Sequence, residues 1–315
     1  MSKNAKLLSI IVVVLVGLVA LAAIVKPEAK SVGEDVETVV VTHTLGETTI
    51  EKNPETVLVF DLGVLDALDY LEVPVAGVPK SSLPTYLEQY NTDEVVNVGG
   101  IKEPDLEAIY AAQPDLIIIS GRQADYYEDL SEIAPTLYVT IDNNNYLESF
   151  KENMTLLGEI FEKEDAVAAE LEKVETQVLA VKEKVEALNQ NALIVLSNEG
   201  EISAYGAESR FGIIHNSLGF AAADDTIEVS THGQKVSFEY VADVNPDYLF
   251  VVDRSAVVSG SAEAEATLNN ELIQSTDAYK NDQIVYLDAV VWYTVSGGFT
   301  STMKMVEEIE TAISK

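Results

Sequence analysis

Two stretches of this chain are copies of one another, and no other feature of the sequence restricts the fold as much. Leu106-Glu107-Ala108-Ile109 leads to Pro114-Asp115 and then to LIIISGR, ending at Arg122. Phe238-Glu239-Tyr240-Val241 leads to Pro246-Asp247 and then to YLFVVDR, ending at Arg254. In both copies the Pro follows the Glu by seven residues and the Arg follows the Pro by eight. Each copy predicts a short helix stopped at Pro-Asp, a buried strand, and an Arg at that strand's carboxyl end. One such run is within chance. Two in matched register predict a duplicated lobe.

The rest of the chain agrees. Short β-branched runs alternate with helix-period segments: Val57–Phe60, Val75–Val78, Leu116–Ser120 and Leu137–Thr140, then Ala192–Ser197, Ile202–Tyr205, Tyr248–Val252 and Ile284–Leu287. Continuous apolar strands between helices predict parallel sheets covered on both faces. Tyr146–Phe161 and Asp165–Asn189 contain no Pro and one Gly. In the second, Val167, Leu171, Val174, Val178, Val181, Val185 and Leu188 recur at three- and four-residue steps, one helical face. Twenty-five residues make a strut of about 37 Å. The expected fold class is α/β: two Rossmann-like lobes with parallel sheets (39–161 and 191–315) joined by one long α-helix (162–190).

Residues 1–25 read as an address. Lys3 and Lys6 precede the uncharged run Leu7–Val25, with Ala20-Leu21-Ala22 as an A-x-A exit. This is a signal peptide by pattern. At about 28 Å it is also long enough for an uncleaved membrane anchor, so both stay open. Either reading exports the remainder. Residues 26–38, polar with Pro and Gly, read as a linker.

Charge then narrows the function. The chain carries 53 Asp+Glu against 19 Lys+Arg, a formal net charge of −34, which argues against nucleic acid as a partner. It has no Cys, which excludes disulfides, thiolate metal sites and lipid anchoring through an N-terminal Cys. Of the 19 basic residues only Arg122, Arg210 and Arg254 are arginine. Arg122 and Arg254 end strands, and Arg210 lies in the loop GAESRFG ahead of a helical segment. All three map to the edge of a parallel sheet where ligands bind. A guanidinium grips oxyanions with two parallel hydrogen bonds, so the set predicts an anionic ligand. Of the histidines, His43 and His215 read as structural, and His232 sits in an exposed loop beside the predicted cleft. Tyr293 follows the last strand and reads as cleft wall, oxygen ligand or core; Lys80 closes another strand and adds a cation. Walker, G-x-S-x-G, G-x-G-x-x-G and H-E-x-x-H motifs are all absent, so nothing supports an enzyme.

With these residues the chain resembles the substrate-binding proteins of iron-siderophore ABC transporters, in the branch that binds catecholates. The resemblance covers about residues 39–313 and is strongest at LEAIYAAQPDLIIISGR, SRFGIIHNSLG and VADVNPDYLFVVDR. It implies that Arg122, Arg210 and Arg254 contact catecholate oxygens, and that His232 and Tyr293 complete the iron sphere of a four-donor siderophore. It also implies a Lys at position 80 in petrobactin-type relatives, Trp292 lining the cleft, and acidic lobe tips, here Glu94 and Asp224, docking the permease. The departure is at the front, where Gram-positive members usually carry a lipobox Cys.

The resemblance therefore implies an extracytoplasmic, monomeric receptor with no permanently bound cofactor. It would carry a ferric siderophore (Fe3+) to an ABC permease dimer and meet the cytoplasmic membrane through residues 1–25 if these are uncleaved. Alternatives are the same fold serving haem, cobalamin or a hydroxamate siderophore, and an exported siderophore esterase.

Overall fold

The computed structural model describes residues 37–230 and 232–314. The segment 1–25 and most of the linker 26–38 lie outside the described residues. An antiparallel hairpin comes first, β1 (Thr38–His43) with β2 (Gly46–Glu51). His43 is structural there: its ring shares a 3.1 Å hydrogen bond with Thr48 and packs edge-on against Tyr127.

The first lobe is built on β3 (Val57–Val59), β4 (Gly77–Val78), β5 (Val96–Asn97), β6 (Leu116–Ile119) and β7 (Thr136–Tyr138). These form a five-stranded sheet in the order β5-β4-β3-β6-β7, parallel at every pairing. Helices α1 (Leu62–Tyr70) and α2 (Leu106–Ala112) belong to its crossovers. The strands are apolar on both sides because both sides are covered. Val57, Val59 and Ile118 face one apolar cluster; Leu58, Ile117 and Ile119 face another.

Helices α3 (Tyr146–Ile160) and α4 (Glu164–Leu188) lead to the second lobe. The strut has the predicted 25 residues and buries Val167, Val174, Val178, Val181 and Val185. It stops where Asn189 turns left-handed, at φ 51°. Beyond it lie β8 (Asn191–Asn198), β9 (Glu201–Tyr205), β10 (Ala221–Ala222), β11 (Gln234–Val236), β12 (Tyr248–Asp253) and β13 (Ile284–Leu287). The order is β11-β9-β8-β12-β13, with β10 also on β8. This sheet is mixed, which corrects the expectation of parallel strands. The β8–β12–β13 part is parallel, but β8–β9 and β9–β11 are antiparallel. The reason is local: only Glu199 and Gly200 separate β8 from β9, both with positive φ (51° and 81°). That is a hairpin turn, far too short for a crossover.

Helices α5 (Phe238–Val244) and α6 (Arg254–Val258) belong to this lobe, and the last helix, α7 (Phe299–Ile313), packs against α4 and against α1 of the first lobe. The sequence repeat is a structural one. Asp105 caps α2 and Ser237 caps α5, and each helix ends on a left-handed residue, Gln113 or Asn245. Each following Asp does the same work: Asp115 accepts from the Thr56 N–H and Asp247 from the Asn191 N–H, both at 2.8 Å. These bonds tie down the start of β3 and β8. One apolar cluster runs from the first sheet through α4 to Ile194 and Phe250 of the second. The buried carboxylate of Asp66 in α1 accepts from the Ser301 and Thr300 N–H groups at the start of α7 (2.7 and 3.3 Å). The last helix is thereby fastened to the first lobe.

Candidate ligand-binding site

Parallel strands deliver their carboxyl ends to one edge, and β6, β8 and β12 bring Arg122, Asn198 and Arg254 there. The residue that gathers them is Tyr293, on a single π-helical turn (Val291–Val295) after β13. Its carbonyl accepts from Arg122 at 3.1 Å and from Arg210 at 2.7 Å. Its hydroxyl accepts from Arg254 Nε at 2.9 Å, and Arg254 also donates to Asn198 at 2.6 Å. The Arg210 guanidinium lies 4.4 Å from the centre of the Tyr293 ring, a cation–π contact. All three arginines thus meet at one tyrosine.

Among the described residues no carboxylate forms an ion pair with them, and Glu201, which lines the same cavity as Arg210 and Arg254, is paired with Lys235 instead. Among the described residues every ion pair is made by a lysine. Burial, with repulsion from Arg122, pushes the Arg210 pKa down, and its Nε is buried without a partner. Tyr293 feels the opposite. Burial alone would raise its phenol, but the hydrogen bond from Arg254 and the three guanidinium charges outweigh it and hold the phenol below its ordinary range. The result is a half-buried cluster of positive charge beside a phenol that those charges acidify.

His232 and Tyr293 line the same cavity, of about 240 Å³, with Arg210, Arg254 and Lys102. A second cavity, of about 480 Å³, adjoins it along Arg254, Lys102 and Tyr293 and takes in Arg122. Among the described residues no three His, Asp or Glu side chains gather to cage a bare ion.

Other expected residues lie elsewhere. Trp292 does not line the cleft: it is 1% exposed and donates its indole N–H to Glu308 at 2.7 Å. On the helical turn it points inward while its neighbour Tyr293 faces the arginines. The Lys80 ammonium is turned to the Thr92 carbonyl (2.6 Å), and Lys102 is the lysine that lines the cavities. Glu94 is exposed. Asp224 is committed internally, accepting from Thr226 and from the Tyr240 hydroxyl. His215 is buried against the Phe220 carbonyl at 3.0 Å, a structural role. Sequence reasoning missed Asn198 and Lys102. Asn198 ends a central strand, which was signal enough. Lys102 stands on a tight turn between Gly99 and Pro104, where Gly99 has φ 101° and a Cβ would meet the Asp105 nitrogen at 2.5 Å.

The periplasmic binding protein family model matches residues 57–291. The chain belongs to this family. Petrobactin-binding protein YclQ of Bacillus subtilis is 41% identical over 98% of this chain and all of its own length. Its crystal structure superposes with a TM-score of 0.86, covering 89% of this chain and 99% of that one. Ferric-anguibactin-binding protein FatB of Vibrio anguillarum is 36% identical over 86% of both chains. The periplasmic catecholate-siderophore binding protein VctP of Vibrio cholerae superposes with a TM-score of 0.84 at 37% identity, covering 87% of this chain and all of VctP.

Proposed function

We propose that this protein is an extracytoplasmic receptor that captures a ferric catecholate siderophore and presents it to an ABC permease dimer for iron uptake. One observation carries the reading: three arginines without carboxylate partners converge on Tyr293. A ferric catecholate brings the missing negative charge on oxygens that accept paired guanidinium hydrogen bonds. The relatives named for petrobactin, anguibactin and catecholate siderophores support the same class of cargo. When the siderophore supplies only four donors, the Tyr293 phenolate and a His232 nitrogen fill the two open iron positions. The ligand brings the iron and most of its donors. The protein acts as a monomer, and residues 1–25 export it or hold it at the membrane.

Equilibrium dialysis against ferric catecholate and neutral ferric trihydroxamate complexes tests this. Submicromolar retention of the catecholate alone is expected; preference for the hydroxamate would reject the reading. Replacing Arg122, Arg210 or Arg254 with Gln should weaken catecholate binding by about 1–3 kcal/mol each, as for a lost hydrogen bond to charge. Unchanged affinity in all three would remove the arginines from the site.

A further inference from the structure

The second cavity of the cleft is larger than the first and chemically unlike it, about 480 Å³ against about 240 Å³. Beyond the shared Arg254, Lys102 and Tyr293, much of its wall is apolar: Leu83 and Pro84 from the first lobe, Ala256, Val257 and Val258 of α6, and Val290. Val258 is 60% exposed, so its side chain adds little to the core. Val257 packs against the main apolar cluster, and Val258 beside it does not. In the repeat the residues matching Val257 and Val258 after Arg122 are Asp125, which is exposed, and Tyr126, which packs against an apolar cluster of the first lobe. The lobes share the Arg and differ in the residues after it.

We propose that this cavity is a binding subsite for the hydrocarbon spacer that joins the catecholate groups of the ligand. The protein then selects among ferric catecholates by the polarity of their scaffold. The inference rests on the ferric catecholate reading and extends it. Helix α6 explains how one element serves both halves of a ligand. Arg254 at its first position faces the charged iron complex, and Val257 and Val258 at its end meet the organic arm one turn away. Each methylene taken out of water favours binding by about four-fold.

Two synthetic ferric bis-catecholamides with identical heads test the subsite. One carries a pentane-1,5-diamine spacer, the other the 3-oxa analogue of equal length and charge. Titration calorimetry on the whole chain should show the alkane-spaced complex bound several-fold tighter. Val258→Asn, a neutral change at an exposed position, should bring the ratio of the two affinities close to one, and Val258→Leu should preserve it. Equal affinities in the unaltered protein, or a ratio untouched by Val258→Asn, would overturn the subsite while leaving the ferric catecholate reading intact. If neither complex binds the unaltered protein, that reading falls and the subsite falls with it.

Discussion

Tyr293 does two jobs with one residue: its carbonyl and hydroxyl hold three arginines in place, and their charge acidifies its phenol. Its behaviour departs from that of other tyrosines in the chain, since burial raises Tyr86, Tyr90 and Tyr146. In a pH titration of tyrosinate absorbance, Tyr293 should therefore ionise first. Arg254→Gln should move that first step upward, because the hydrogen bond and one charge are lost while burial remains. Tyr293→Phe should delete it. The folded phenol ionises below its unfolded value of about 10. The folded state thus binds fewer protons between the two values, and Tyr293 adds stability as pH rises through that window and loses it as pH falls. A first ionisation step that persists in Tyr293→Phe would reject this assignment. The same variant should abolish the phenolate-to-iron absorption expected with a tetradentate ferric complex.

At the scale of elements, the duplicated helix–Pro-Asp–strand unit works through its aspartates, each fastening the first N–H groups of a central strand. Asp115→Ala and Asp247→Ala should each cost about 1–2 kcal/mol, the range for a hydrogen bond to charge at a partly exposed position. The positions lie in different lobes, so the double variant should sum the two within about 0.5 kcal/mol. Urea unfolding measures this, and a neutral Asp115→Ala would deny the repeat its mechanical role. Elements of this kind were legible because their signals are local: matched register gave both lobes, and three-four spacing gave the strut. The antiparallel β9 was legible too, since the two residues between Asn198 and Glu201 are too few for a crossover. Site residues divided in the same way. Arg122 and Arg254 were legible from strand ends. The direction of Trp292, adjacent to Tyr293 yet buried, depends on how a helical turn docks. The reach of Lys102 into the cleft likewise depends on a turn crossing between lobes, which no local pattern encodes.

The whole molecule sets an acidic exterior against a basic cleft. A net charge of −34 repels an anionic ligand at a distance, while three guanidinium groups attract it once it enters. Salt separates the two. At 0.01 M ionic strength the screening length is about 30 Å, so the ligand feels the entire surface; at 0.15 M it is about 8 Å, and only nearby charges count. Association of a trianionic ferric catecholate should therefore become faster as salt rises over this range, the reverse of the usual steering of an anion into a basic pocket. Dissociation should also become faster, because the arginine contacts themselves are partly solvated and lose strength. The equilibrium constant then changes less than either rate. Stopped-flow absorbance of the iron complex at several salt concentrations reads both rates directly. An association rate that falls steadily with added salt would mean that the cleft, and not the exterior, governs the approach at every distance.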